Sequence, residues 1–420
     1  MRHWIVALLT LCSATAVYAD GGDRLVGADI SLLPSYEAAS TPYYSPVGKR
    51  ISDLVPYLRD DAGMNAMRVR LFVNPTETGT AKTGVVQDLE YVMKLGRRIK
   101  AAGMKLLITM HYSDSWADPA KQTIPSGWAT TDAALVDSMY SYTKRCMQYL
   151  VDNDAAPDYV QVGNEVSYGM LWRSNSDKCY TTSSQTASSA QWTRFAKLLN
   201  SGIKAVREVV PEAQIVIHSE RAASASQTVN FYKFLNTNKV DYDVIGLSYY
   251  PFWHNSLSVL SATLNQLASY YPTKKVQIVE TAYNYQYYAA DATYDFQSTW
   301  PATEEGQKTY VQDLVAELQK HSNVNGVYWW FAEENGSGNK ATVISSWLNR
   351  GLFHNSTHRA LSALFELKAF RGGDGDDTPV DAVLVDGASD DVYDLMGRKM
   401  SGVPAKGIYI RNGKKFVNLH

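Results

Sequence analysis

Cysteine is scarce in this chain, with three residues in 420, which excludes a small fold stapled by several disulfides. No apolar run approaches the roughly 20 residues that a membrane-crossing helix needs. Charge of one sign is also lacking: 40 Lys and Arg stand against 42 Asp and Glu, a net charge of -2. That balance gives no electrostatic reason to expect nucleic acid or an acidic membrane as a partner. Three motifs of chemistry are missing as well. No Gly-rich phosphate loop follows the first strand candidate, no His/Cys/Asp cluster has transition-metal spacing, and no Gly-x-Ser-x-Gly elbow occurs.

What is plentiful is aromatic surface. The 28 Tyr and ten Trp offer apolar faces with polar edges, the kind of surface that matches a sugar ring. Extra core aromatics explain the composition equally well. The first residues have the grammar of a secretory signal: polar Arg2 and His3, apolar Trp4 to Leu11, and a small-x-small site at Val17-Tyr18-Ala19. Residues 1–19 are therefore expected to be a leader and the protein to be secreted, to the cell surface, periplasm or medium of a Gram-negative bacterium. Leu11 stands before Cys12 where a lipoprotein wants a small residue. Cys146 and Cys179 then remain; the compartment permits a bond between them, but two cysteines do not establish one.

From the mature N-terminus to Phe370, short apolar runs alternate with long amphipathic segments. The strand candidates are Val26–Ser31, Ala66–Phe72, Lys105–His111, Tyr159–Asn164, Gln214–His218, Val244–Tyr249, Val276–Glu280 and Val327–Phe331. Helical patterns lie between them, among them Leu89–Ala102, Ala133–Val151, Trp192–Val210, Leu257–Tyr271 and Glu304–Gln319, with Leu361–Phe370 last. Eight unbroken β-then-α units predict an α/β chain closed as a (β/α)8 TIM barrel over residues 20–370. A doubly wound open sheet is the competing architecture, and it usually carries the missing Gly-rich loop. An acidic, Gly-rich linker follows at 371–379, and 380–420 alternates apolar and polar residues around Gly turns, as β-hairpins do. So short a segment buries little core and is read as an appendage. It weakly resembles the C-terminal tails of secreted Gram-negative proteins.

In such a barrel the reactive groups lie at the C-terminal ends of strands. Those positions carry Asp29, Arg68 and Arg70, His111, Asn164-Glu165, Tyr249, Glu280, and Tyr328-Trp329-Trp330. Two carboxylic acids at strands four and seven, Glu165 and Glu280, face each other across the mouth. Glycoside cleavage needs this pair, one acid to protonate the leaving oxygen and one carboxylate to attack the anomeric carbon; a gap of roughly 5 to 5.5 Å means retention. Either glutamate alone is more often an ion pair or a solvated group, and it is their joint placement that singles them out. Asn164 is read as a partner for the sugar 2-OH. Arg70, with Arg68 behind it, is the cation that keeps the nucleophile ionised. Tyr249 is a candidate donor to the nucleophile or else core, and His111 a sugar-hydroxyl ligand or a support.

Together these segments resemble glycoside hydrolase family 53, the endo-β-1,4-galactanases. The resemblance rests on Gly27-Ala28-Asp29-Ile30-Ser31, Arg68-Val69-Arg70, the run from His111 to Pro119 with Gln122, Val162-Gly163-Asn164-Glu165 and Gly169-Met170-Leu171-Trp172. It continues through Asp243 to His254, Val279-Glu280-Thr281-Ala282-Tyr283 and Glu305-Gly306-Gln307. It implies Glu165 as acid/base, Glu280 as nucleophile, and β-1,4-galactan or type I arabinogalactan as substrate for an endo-acting, retaining, monomeric enzyme. Asp114, Trp116, Trp172, Trp253 and Trp330 become candidate substrate contacts. One departure stands out: the family usually reads Tyr-Trp-Glu-Pro at strand eight, and this chain reads Trp329-Trp330-Phe331-Ala332. No cofactor is expected for the chemistry. Some bacterial members bind a structural calcium near strands seven and eight. Glu333, Glu334 and Asn335 offer oxygens there without forming a defensible calcium motif, so calcium stays unassigned. A different glycanase of the same clan, or a glycan-capturing protein without turnover, are the alternatives.

Overall fold

The structure, a computed structural model, describes residues 24–75, 84–179, 181–182, 185–186, 188–336, 347, 349–372, 392–394, 398–400, 404, 407–411 and 414–418. The leader reading and most of the linker lie outside these residues. The chain divides into two compact units at Gly372/Gly373.

The first unit is built on eight strands: β1 (Leu25–Asp29), β2 (Ala66–Leu71), β3 (Lys105–Met110), β4 (Tyr159–Val162), β5 (Gln214–Ser219), β6 (Val244–Ser248), β7 (Lys275–Thr281) and β8 (Val324–Trp329). They pair in parallel in sequence order, and β8 pairs with β1 to close the barrel. Strand eight thus begins three residues earlier than its apolar run suggested, because Val324 is held by the register to Val276 across an irregular pairing. The crossover helices include α1 (Leu54–Asp60), α2 (Leu89–Ala101), α3 (Asp132–Asp152), α4 (Ser189–Val209), α5 (Ala225–Thr237), α6 (Leu257–Tyr270) and α7 (Glu304–Gln319). Their starts are chemically fixed. Asp88, Thr131 and Thr303 accept first-turn N–H groups, and Ser188 with Gln191 forms a full capping box; each cap contributes about 1 kcal/mol. The last element is shorter than expected, an α-turn at Ala363–Glu366 running into a 3-10 segment to Arg371.

Strand alternation decides what fills the barrel. One residue from each strand (Leu25, Ala66, Leu107, Tyr159, Val216, Val244, Val279 and Tyr328) meets in a separate apolar cluster at the lower end. Stepping two residues up each strand from this layer carries the same inward face toward the mouth. One such step reaches Arg68, Gln161 and His218, and a second reaches Asp29, Arg70, His111 and Ser248. The opposite face packs on the helices in the large outer core, with Val26, Met67, Ile108, Val160, Ile217, Ile245 and Ile278 among its members.

Strand β7 breaks the alternation. Against β6, Leu247 pairs with Ile278 but Ser248 with Glu280; against β8, Val327 pairs with Ile278 but Trp329 with Thr281. β7 therefore holds one extra residue, a bulge at Val279–Glu280. Without it Glu280 would face the helices; with it Val279 plugs the barrel floor and Glu280 turns into the mouth. Bulges beside active sites re-aim side chains in this way.

The second unit is a small antiparallel sheet of Val392–Tyr393, Lys399–Met400, Gly407–Arg411 and Lys414–Asn418. Cys146 and Cys179 are both buried free thiols, so the bond left open by the sequence is not formed.

Candidate active site

A cleft of about 270 Å³ opens at the mouth, lined by Arg70, His111, Trp116, Ala117, Asp118, Asn164, Glu165, Glu280, Trp330 and Trp347. The strand-four and strand-seven glutamates thus share one cavity, although 115 residues of chain separate them (165 to 280).

Glu280 is 7% exposed and enclosed by donors. Arg68 Nη2 lies 2.7 Å from its Oε1, and the Tyr250 hydroxyl donates to its Oε2 at 2.9 Å. Arg68 is fully buried and also pairs with Asp29 at 3.0 Å, so the strand-one carboxylate fixes the guanidinium that holds the strand-seven carboxylate. Burial raises the Glu280 pKa, while Arg68 and the Tyr250 hydroxyl pull it back. Two expectations are corrected here. Arg68, not Arg70, contacts the nucleophile candidate: Arg70 sits two residues nearer the mouth, ion-paired to Asp29 at 3.4 Å, its guanidinium 4.7 Å from the Trp116 ring centroid and 5.5 Å from that of Trp330. Tyr250, not Tyr249, donates to Glu280, because Tyr250 shares the inward face of Ser248, and the adjacent Tyr249 turns outward to the Asn255 carbonyl at 2.8 Å.

Glu165 has different company. The strand ends at Val162, and Gly163 takes φ +88°, where a Cβ would lie 2.5 Å from Val166 Cγ1. Glu165 itself has φ +47°, an unfavourable conformation for a residue with a side chain, at a cost on the order of 1 kcal/mol. The Ser248 hydroxyl lies 2.6 Å from its Oε1. Among the described residues no cation touches it. Burial, then the charges of Glu280 and Glu220, raise its pKa well above the carboxylate range. Glu220, at the end of β5, accepts the Ser167 hydroxyl.

Asn164 is held on every side. Its Oδ1 accepts from Arg68 at 3.0 Å and its Nδ2 donates to the Ala117 carbonyl at 2.8 Å. Gln122 caps the Asn164 carbonyl at 2.8 Å, and the Ala117 amide donates to His111 Nδ1 at 3.1 Å. The run from His111 to Gln122 is therefore a strap tying strand three to the end of strand four. With Nδ1 accepting, His111 carries its proton on Nε2, a buried atom with no hydrogen-bond partner among the described residues. Burial, with Arg68 and Arg70 nearby, holds this imidazole neutral.

Three candidate contacts lie off the cleft lining. Asp114 accepts the backbone amides of Asn74 and Ser126 and organises loops. Trp172 donates to the Tyr168 carbonyl beneath Lys178. Trp253 donates to the Asp291 carbonyl and packs edge-on against Trp347. Trp347, Asp118, Tyr250, Ser248 and His218 were missed as site residues. Inward parity from Val216 and Val244 would have found the last two; Trp347 falls in no periodic pattern of the sequence.

The residue family model that matches the chain is that of glycosyl hydrolase family 53, over residues 25–367. The chain belongs to glycosyl hydrolase family 53. Among relatives of this family 53 chain is an endo-beta-1,4-galactanase of Bacillus subtilis (strain 168), 34% identical over 73% of this chain and 70% of that protein. An arabinogalactan endo-beta-1,4-galactanase of Cellvibrio japonicus is 34% identical over 77% of this chain and 84% of its own length. The Ignisphaera aggregans GH53 catalytic domain superposes with a TM-score of 0.72 at 31% identity, covering 84% of this chain and 97% of that one.

After strand eight, Glu333, Glu334 and Asn335, the oxygen donors considered for calcium, each have a protein partner. Glu333 accepts the Leu32 amide, Glu334 the Gly336 amide, and Asn335 donates to the Pro42 carbonyl, so the three side chains serve separate partners. Among the described residues no three His, Cys, Asp or Glu converge as metal ligands. Among them, too, no helix is long and apolar enough to cross a membrane.

Proposed function

We propose that this family 53 hydrolase is a retaining endo-β-1,4-galactanase acting on galactan and type I arabinogalactan, with Glu280 as nucleophile and Glu165 as acid/base. The observation that carries the reading is the contrast between two glutamates in one cleft: one gripped by a guanidinium and a phenol, the other by neutral groups and neighbouring carboxylates. The first arrangement favours a carboxylate; the second favours a carboxylic acid.

Glu280 attacks the anomeric carbon while the Glu165 proton passes to the glycosidic oxygen, breaking the C–O bond and leaving a galactosyl ester on Glu280. Water then enters, Glu165 takes its proton, and the ester is displaced at the anomeric carbon with net retention. Arg68 and Tyr250 stabilise Glu280 as it regains full charge when the ester breaks. One Asn164 N–H remains for the sugar 2-OH, and His111 and Arg70 line the cleft beside it. Trp116, Trp330 and Trp347 form the aromatic wall for the ring. Every step is assigned to side chains and calls for no cofactor. We further propose secretion through residues 1–19 and action as a monomer.

The test is digestion of linear β-1,4-galactan followed by proton NMR and product sizing from the first minutes. Mid-sized oligosaccharides with a β-configured new reducing end are expected. First-formed α anomers, or activity confined to mannan or xylan, would refute the reading.

A further inference from the structure

Behind Glu165 lies a chain of buried groups that the mechanism above does not use. Ser248 Oγ is 2.6 Å from Glu165 Oε1, and His218 Nε2 is 2.8 Å from Ser248 Oγ. His218 Nδ1 meets the Glu165 backbone N–H at 3.3 Å, Gln161 Nε2 at 3.1 Å and Asn164 Oδ1 at 3.2 Å. Ser248 and His218 are fully buried.

The direction of every proton follows from obligate donors. The Glu165 backbone N–H only donates. Gln161 Nε2 is identified as the amide nitrogen by its 3.0 Å contact with the Gly163 carbonyl, which only accepts. Gln161 Nε2 also reaches Asn164 Oδ1 at 3.2 Å and so has three acceptors for two protons, but the Glu165 N–H has His218 Nδ1 as its acceptor, and Nδ1 is therefore bare. Burial and the nearby Arg68 keep the ring neutral, so the single proton sits on Nε2 and points at Ser248 Oγ. The Ser248 hydroxyl cannot donate back to a nitrogen that carries a proton. Its own proton goes to Glu165 Oε1. The opposite tautomer would set a proton on Nδ1 against the Glu165 backbone N–H.

We infer that His218, through Ser248, locks Glu165 Oε1 as a hydrogen-bond acceptor in both protonation states and so confines the catalytic proton to Oε2. A proton on Oε1 would face the Ser248 hydroxyl proton. Oε2 makes no hydrogen bond within the described residues, and Glu165 borders the cleft. The acid is thus delivered from the oxygen free to reach the leaving group, and the water proton returns to the same oxygen. Ser248 and His218 are positioning residues, acting through Glu165 without touching the substrate. The backbone at Glu165 belongs to the same device, because its N–H is what strips Nδ1 of a proton, and the φ of +47° carries that N–H and the carboxylate to one imidazole and its serine.

This inference rests on Glu165 being the acid/base, and the experiment separates the two. General acid catalysis matters for a sugar leaving group and little for an activated one. The specificity constant kcat/KM is measured for galactan and for 2,4-dinitrophenyl β-galactobioside, with wild type, Glu165→Ala, Ser248→Ala, His218→Asn and His218→Gln, each checked by its melting temperature. Asn at 218 keeps an acceptor near the Nδ1 position and loses the donor to Ser248, whereas the longer Gln keeps a donor where Nε2 stood. Ser248→Ala and His218→Asn are expected to lose roughly 10- to 100-fold on galactan and less than about threefold on the aryl glycoside. His218→Gln is expected to stay nearer wild type on galactan. Equal losses on both substrates, or no loss on either, while Glu165→Ala remains selective for galactan, would overturn the relay alone. If Glu165→Ala itself loses both substrates equally, the acid/base assignment falls and the relay with it.

Discussion

Glu280 and Glu165 are the same side chain in the same cleft, yet their surroundings differ in kind. Around Glu280, strands one, two and six supply Asp29, Arg68 and Tyr250, an ordered alternation of charge ending in a phenol. Around Glu165, strands five and six supply His218 and Ser248 and the end of strand five supplies Glu220, all neutral or negative. Burial pushes both carboxyls toward the neutral form, and only Glu280 has a cation to oppose it. The difference teaches that role is assigned here by the partner, not by depth: both groups are withdrawn from water, and charge complementarity divides the labour.

The comparison breaks most completely at Glu280→Gln, which is expected to lower reducing-end release from galactan by more than about 10⁴-fold with the melting temperature unchanged. Near-normal turnover would dissolve the distinction. Next comes Arg68→Met against Arg70→Met. Without Arg68, Glu280 keeps its desolvation and loses its cation. Its pKa rises, and since Glu280 works as the carboxylate, the acid limb of kcat/KM moves to higher pH, with a loss of roughly 100-fold or more. Arg70→Met is expected to act mainly on KM and to leave that limb nearly in place. The reverse order in the two pH profiles would restore the assignment read from the sequence.

That pair of arginines shows where legibility ends. Eight apolar runs, their order and the glutamates at strand ends four and seven were all readable, because burial imposes them residue by residue. Arg68 and Arg70 share one face, and alternation cannot say which lies level with Glu280; only the barrel's stagger does. The bulge at Val279–Glu280 is invisible to a period-two reading, which would have turned Glu280 outward. Tyr250, by contrast, was within reach, since it follows Ser248 by two. Its misassignment came from ending the strand at Tyr249.

The tyrosines give a smaller test. Tyr250→Phe removes the phenol from Glu280 and is expected to cost roughly 10-fold in kcat/KM and to shift the acid limb upward. Tyr249→Phe loses only a bond to a loop carbonyl, expected to be about 1 kcal/mol of stability with an unaltered pH profile. The smallest effect sharpens the comparison from outside the cleft. Glu334 is buried with no cation beside it among the described residues, and burial carries its pKa to about 8. A folded-state pKa above the unfolded one favours the folded form at low pH and weakens it as pH rises from the ordinary carboxylate range toward 8. Glu334→Gln is therefore expected to melt like wild type at pH 4 and above it at pH 8, by on the order of 1–2 kcal/mol. Parallel melting curves at both pH values would show that Glu334 ionises freely.

The central claim, that the cation-held glutamate is the one that bonds to the sugar, is tested most directly by trapping. A 2-deoxy-2-fluoro-β-galactobioside with an activated leaving group, incubated with the enzyme and followed by peptide mass spectrometry, is expected to leave one fluoroglycosyl ester, on Glu280. An adduct on Glu165, or inactivation with the sugar on neither glutamate, would contradict it.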